Sequence, residues 1–326
     1  MAYRTSVYIK AKNILDERRH KAENEQERRR AAAVAVCPEI AEAEREMAAY
    51  AAEVIKSVSM GKEAENFVHN ISVKNLEAQE KRKAALLKAG FPADYLDVKY
   101  TCPICHDTGS HGGYYCKCYR DLIKQTAKDE LGIAPSMRRC TFESFDVNYY
   151  SDEPDSELSV SPRRLATGTL RFCKDYAENF TQKSRNLLLT GKTGLGKTHL
   201  SLAIANAVID RGFDVYYASI HSVMDTLQKE QFSREKVSES ISDRLYESDL
   251  LILDDLGAEF STQFTVAALY NIVNTRINAG RPMIISTNLT LSELEERYSQ
   301  RVASRIIGTS ERLLLIGTDI RQKKKS

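Results

Sequence analysis

The chain has 326 residues, of which 42% are hydrophobic and 28% charged, enough apolar material for about two domains with packed cores. Its formal net charge of +2 is too small to argue for nucleic acid by itself, and no run approaches the roughly 18 apolar residues of a membrane span. Residues 1–6 lack the apolar stretch of a signal peptide, so the seven cysteines are not expected to form a disulfide framework, and the expected compartment is the reducing cytoplasm.

Residues from about 10 to 35 are rich in Arg, Glu, Lys and Ala and read as a solvated helix. Within it Arg28, Arg29 and Arg30 are either an exposed face or a contact for an acidic partner. Pro38 suits the first turn of a second helix. Along that helix Ile40, Ala43, Met47, Tyr50, Val54 and Val58 recur at helical spacing and form one apolar stripe. Gly61 interrupts the pattern, and a third helix runs to Gly90, with Pro92 beyond. Residues 1–100 are therefore expected to be a helical, coiled-coil-like module. Its thin stripe serves a small bundle, a docking surface for another protein, or both.

Residues 101–140 carry a different signal. Cys102-Pro103-Ile104-Cys105 is followed, after ten intervening residues, by Cys116-Lys117-Cys118. A C-x-x-C knuckle brings two thiolates to one cation, and the second pair completes a tetrahedral four-sulfur set. Zinc suits such a closed thiolate site, with a redox-active pair or an iron–sulfur cluster as alternatives. His106 and His111 are spare ligands if one cysteine is not used. With no open position for a substrate, the metal's expected role is structural. Cys37, Cys140 and Cys173 are isolated in sequence.

Residues 141–185 read as a linker and a lead-in helix. Two prolines and several Ser and Asp residues lie between 146 and 163, and Leu170, Cys173, Ala177 and Phe180 then form a helical stripe. A short buried strand at 186–190 leads into Gly191-Lys192-Thr193-Gly194-Leu195-Gly196-Lys197-Thr198, which fits the phosphate-binding P-loop pattern G-x-x-x-x-G-K-[ST]. Leu200, Ala203, Ile204, Ala207 and Val208 continue as a helix to Gly212. In that strand–loop–helix context, Gly191, Thr193, Gly194 and Gly196 are expected to wrap a triphosphate. Lys197 reaches its β- and γ-phosphates, and the Thr198 hydroxyl ligates Mg²⁺.

A strand at 214–218 follows, then Leu250-Leu251-Ile252-Leu253 ending in Asp254-Asp255, the Walker B pattern. Asp254 is expected to hold Mg²⁺ and Asp255 to orient or activate the attacking water. After a helix over 262–279, the strand Met283–Ser286 ends in Thr287 and Asn288, where a polar side chain can meet the γ-phosphate or its water. Thr290 and Glu293 form a capping-box pair for the next helix. Arg301 and Arg305 then share one helical face, and a last strand is expected at Leu313–Ile316. Residues 186–326 thus read as an α/β P-loop core around a parallel sheet. Basic residues at 323–325 and within 229–244 are candidate phosphate contacts, although acids are interleaved in the second stretch.

The P-loop, the Asp-Asp Walker B strand, the Ser-Thr-Asn strand end and the paired arginines together resemble an AAA+ ATPase of the DnaC/DnaI/IstB clade. The resemblance is strongest to DnaC-like bacterial helicase loaders with a Cys-rich N-terminal region. Thr141-Phe142-Glu143-Ser144-Phe145-Asp146 and Tyr150-Ser151-Asp152-Glu153-Pro154 also resemble that group. The resemblance covers the chain from about 140 onward, and more loosely the cysteine segment and the N-terminal helices. It implies that Asn288 is the sensor 1 residue, Arg305 an arginine finger acting on ATP of a neighbouring subunit, and Arg321 the sensor 2 arginine. Asp255 stands where AAA+ enzymes usually carry a catalytic Glu, which implies slow turnover stimulated by assembly or DNA. The short stretch after the last strand implies that there is no C-terminal helical lid. The implied function is loading of a hexameric replicative helicase onto single-stranded DNA, with ATP, Mg²⁺ and Zn²⁺ as cofactors, self-association on ATP, and the N-terminal module gripping the helicase. An IstB-type helper of a DNA transposase and a nucleotide-gated adaptor with negligible hydrolysis are the alternatives.

Overall fold

The computed structural model describes residues 3–57, 64–232 and 241–323. Val58, Gly61, the basic tail beyond 323 and much of the 229–244 stretch lie outside the described residues. The chain divides into two compact units, one of residues 10–120 and one of residues 1–9 with 121–326. The expected divisions near 100 and 140 thus differ from the division seen here, which falls inside two helices.

The first unit is built on α1 (Thr5–Val36), α2 (Glu39–Ser57) and α3 (Ala64–Lys88). Pro38 has no N–H to continue α1, and Ala41 N–H donates to the Pro38 carbonyl as α2 begins. Ala33, Cys37, Ile40, Ala85, Leu86 and Leu96 form a small core where these helices meet. Of the α2 stripe, Ile40 and Ala43 are buried, whereas Met47, Tyr50 and Val54 are only half-buried. Ion pairs Lys88–Glu39 (2.9 Å) and Lys81–Glu46 (3.0 Å) flank the α2–α3 contact. The arginine run is mostly spent within the unit. Arg29 donates to the Tyr95 and Asp97 carbonyls, Arg30 pairs with Glu44 at 2.7 Å, and exposed Arg28 pairs with Glu25 at 3.5 Å.

A two-stranded antiparallel hairpin follows, β1 (Ser110–His111) and β2 (Tyr114–Tyr115), turned by Gly112-Gly113. Then α4 (Lys117–Asp129) starts beside the last cysteine pair, a helix that the cysteine spacing did not announce.

In the second unit, α5 (Pro162–Glu178) is capped by the Ser161 side chain and opens on Pro162. The order is then β3 (Asn186–Thr190), α6 (Lys197–Asp210), β4 (Val215–Ser219), α7 (Ile220–Phe232), α8 (Ile241–Glu247), β5 (Leu250–Leu256), α9 (Gln263–Asn278) and β6 (Met283–Thr287). The chain continues through α10 (Leu291–Tyr298), α11 (Gln300–Thr309), β7 (Ser310–Leu314) and α12 (Ile320–Lys323). The sheet runs β4-β5-β6-β3-β7 with every pairing parallel, so the α/β expectation holds.

Burial on both faces explains the apolar runs at 187–189 and 250–253, which are fully buried in β3 and β5. Arg276, itself fully buried, donates to the carbonyls of Leu245 (2.8 Å), Ser248 (3.0 Å) and Pro282 (2.7 Å) and so pins the entrances to β5 and β6. That burial pushes its guanidinium down to about 9.

The last strand starts three residues and ends two residues earlier than expected. It pairs Asn186 with Ser310 and Thr190 with Leu314, rather than spanning Leu313–Ile316. It is an edge strand with exposed Glu311 and Arg312, so an apolar run marks only its end. Beyond it, the described residues hold only the four-residue α12.

Candidate nucleotide site and cysteine cluster

In an open parallel sheet, ligands bind beyond the carboxyl ends of the strands where the strand order reverses. Here β3 lies between β6 and β7, and the loop after it faces the ends of β5 and β6. A cavity of about 730 Å³ opens there, lined among others by Gly194, Lys197, Thr198, Asp254, Asn288 and Arg321. Asp255 and Thr193 also line it. Residues scattered over 128 positions of sequence therefore converge on one space.

The P-loop keeps its shape through close backbone approaches. Gly196 caps α6 at φ +83°, and a β-carbon there would lie 2.7 Å from the Phe145 ring. Gly194 adopts φ +80°, and a β-carbon would overlap the Asp319 carboxylate. Tyr150 donates its hydroxyl to the Leu195 carbonyl at 2.7 Å, and the His199 ring packs edge-on against Phe145. The 141–150 segment therefore braces the loop from beneath.

Lys197 is buried, and its ammonium donates to the carbonyls of Gly191 (2.6 Å) and Lys192 (2.9 Å) and to Asn288 Oδ1. Burial lowers its pKa below the ordinary lysine value, against the pull of Asp255 and Asp254. The Asp255 carboxyl is raised, first by partial burial and then by neighbouring Asp254. Asp255 also sits at φ +56°, and its N–H donates to Ser286 Oγ at 3.0 Å.

Asp254 is buried at the heart of the site. Thr198 Oγ1 donates to its Oδ2 at 2.8 Å, Tyr217 donates to the same oxygen at 2.9 Å, and Ser286 Oγ donates to Oδ1 at 2.5 Å. A hydroxyl and a carboxylate side by side are hard oxygen donors, the set that suits Mg²⁺. Tyr217 stands in no sequence motif, and Ser286 enters the sequence reading only as the first residue of the Ser-Thr-Asn strand end. Their signal is strand alternation: Ser219 pairs with Asp254, so Tyr217, two residues back, shares that face.

The paired arginines separate from this cavity. The Arg301 and Arg305 guanidinium groups lie 5.0 and 4.9 Å from the centre of one ring, Tyr270, and Arg305 also donates to Asn274 at 3.1 Å. Arg305 is not among the residues lining its own chain's nucleotide cavity. Arg321 does line the cavity, and its exposed side chain reaches Asp319 at 3.9 Å.

In the first unit, the sulfurs of Cys102, Cys105, Cys116 and Cys118 lie within 4.8 Å of one another. Cys102 and Cys116 are 3.8 Å apart, and Cys105 and Cys118 are 3.4 Å apart. A tetrahedron with metal–sulfur bonds of about 2.3 Å has edges of about 3.8 Å, so the donor set fits one metal ion. Fully buried Asp107 accepts the N–H groups of Thr101 (2.8 Å) and Cys102 (2.9 Å) and fixes the knuckle. Backbone N–H groups of Cys105 and Ile104 hold the Cys102 thiol down at about 7, while burial pushes the Cys118 thiol up. Neither His106 nor His111 belongs to the cluster.

The family model described as "IstB-like ATP binding protein" matches residues 129–326. The replicative helicase loader DnaC of Escherichia coli (strain K12) is 26% identical over 188 residues, covering 57% of this chain and 71% of that protein. Among solved structures, the DnaC helicase loader covers 56% of this chain and all of its own at 21% identity, with a TM-score of 0.46. DnaI covers 60% of this chain and 99% of its own at 21% identity, with a TM-score of 0.47.

Proposed function

Because the chain belongs to the family of IstB-like ATP binding proteins, we propose that it binds and hydrolyses MgATP to control the loading of a hexameric replicative helicase onto single-stranded DNA. The observation that carries the nucleotide reading is the convergence of Lys197, Thr198, Asp254, Asp255 and Asn288 on one cavity. The client is proposed from the likeness to DnaC.

In this reading Lys197 exchanges its carbonyl contacts for phosphate oxygens, stronger acceptors because they are charged. Thr198 and Asp254 would hold Mg²⁺, which would neutralise phosphate charge. Asp255 orients the attacking water, and its shorter reach than a Glu keeps hydrolysis slow. Asn288 senses the γ-phosphate from the end of β6, and Arg321 approaches from the C-terminal side.

Arg305 completes the site of a neighbouring copy, which couples hydrolysis to self-association. Its placement on α11, outside its own cavity, supports this role. The four-cysteine cluster binds a structural zinc that staples the first unit. That unit grips the helicase, while the second unit contacts the DNA backbone.

Loading of the helicase onto single-stranded DNA, followed with the full chain and ATP, tests this reading. The Lys197→Ala variant is expected to lose ATP-dependent loading. Unchanged loading would overturn the switch, and recovery of a transposase in place of a helicase would move the client to the transposition-helper reading.

A further inference from the structure

The carboxylate that holds the magnesium must present a lone pair in a fixed direction. Its orientation is set by whatever else donates to it. A carboxylate offers about four lone-pair positions, and in this site three are taken. Ser286 Oγ occupies one on Oδ1, while Thr198 Oγ1 and the Tyr217 hydroxyl occupy both positions on Oδ2. One position on Oδ1 is left.

Two of these donors are already accounted for. Thr198 belongs to the P-loop, and Ser286 also ties down the Asp255 N–H from the neighbouring strand. Tyr217 comes from β4, beyond the P-loop and Walker B motifs, and its side chain reaches past one residue pair of the sheet to meet Asp254. It also lines the nucleotide cavity. Tyr216, the adjacent residue, faces the other side of the sheet, where Arg244 lies 4.2 Å above its ring.

We propose that Tyr217 is a positioning residue for the magnesium site. Its hydroxyl locks the rotation of the Asp254 carboxylate, so that one Oδ1 lone pair faces the cation or a water bound to it. The inference rests on the MgATP reading and deepens it. Hydrogen-bonding partners behind a metal ligand commonly carry about 10-fold or more of the metal affinity, and a ligand as weakly held as Mg²⁺ depends on that alignment.

The test is a Mg²⁺ titration of labelled-ATP binding at equilibrium, read by fluorescence, with the full chain and its Tyr217→Phe variant. Phe keeps the ring and its packing and removes only the donor. The Mg²⁺ midpoint is expected to rise about tenfold in Tyr217→Phe, while labelled-ATP affinity in excess EDTA stays within twofold of wild type. Tyr216→Phe, on the opposite face, should leave both quantities unchanged. In an Asp254→Asn background, Tyr217→Phe should have no further effect on the midpoint, because the residue acts through that carboxylate.

An unchanged or lowered midpoint in Tyr217→Phe would overturn the proposal, as would an equal loss of affinity with and without Mg²⁺. Failure of the wild-type chain to bind labelled ATP at all would instead overturn the nucleotide reading itself.

Discussion

The two polar clusters of this chain are held together by opposite means. Around the P-loop, Lys197 donates to Asn288, and Thr198 and Ser286 donate to Asp254, on a scaffold of fully buried strands. Around the knuckle, the local core consists of Cys102, Cys105 and Cys116 with Cys118 packed against them, and no other apolar side chain among the described residues joins it. The first site takes its shape from the sheet that carries it. The second offers four sulfurs within 4.8 Å of one another, and as thiolates they would repel one another unless a cation lay between them. The two regions should therefore fail independently.

The largest expected effect comes from breaking the cysteine cluster. Structural zinc sites contribute on the order of 10 kcal/mol to the folding of the segment that holds them. Cys102→Ser should release one equivalent of zinc, measured by atomic absorption, and lower the helical circular dichroism. Its ATP affinity should remain within twofold of wild type. Next in size, Lys197→Ala removes a charged donor worth about 1.5–3 kcal/mol per hydrogen bond, so ATP affinity should fall about 100-fold while zinc content stays unchanged.

Gly196→Ala sharpens the comparison from within the P-loop. A β-carbon at φ +83° and 2.7 Å from Phe145 is strained on both counts. A loss of about 1–2 kcal/mol, seen as a lower melting temperature together with weaker ATP binding, would show that the loop is preorganised. Melting unchanged beside weaker binding would show that it forms around the ligand.

The smallest effect concerns the first nine residues, which belong to the same compact unit as the P-loop. Arg4 pairs with Glu130 at 2.5 Å and with Asp214 at 3.5 Å. Burial raises the Asp214 carboxyl above its ordinary value, and Arg4 opposes that rise. A raised carboxyl favours the fold only while protonated, and that advantage is withdrawn as pH rises through its folded-state value. Arg4 is what makes the charged form tolerable. Arg4→Met should therefore cost about 1 kcal/mol near pH 7 and less near pH 4, as urea unfolding at the two pH values would report.

What the sequence made legible follows the range over which each signal acts. The P-loop and the Thr290–Glu293 capping box are local spacings, and both form. Strands β3, β5 and β6 are buried on both faces, so their apolar runs mark them directly. The start of β7 was hidden because Glu311 and Arg312 face solvent on a sheet edge. No local signal marks the start of α7, because β4 passes into it at Ser219–Ile220 with no Gly or Pro between. Tyr217 and Ser286 reach Asp254 only through the strand order, from 37 and 32 residues away. Arg4 lies 126 residues from Glu130, and no pattern around it signals the pair.

The proposed function assigns the client to one unit and the decision to let go to the other. Capture of the cell's own hexameric replicative helicase by the immobilised full chain, with and without MgATP, tests it most directly. Wild type is expected to capture the helicase and to change the captured fraction when MgATP is added, whereas Lys197→Ala captures as much and does not respond. A Lys197→Ala chain that responds to MgATP as wild type does, or a wild type that captures no helicase, would contradict the account.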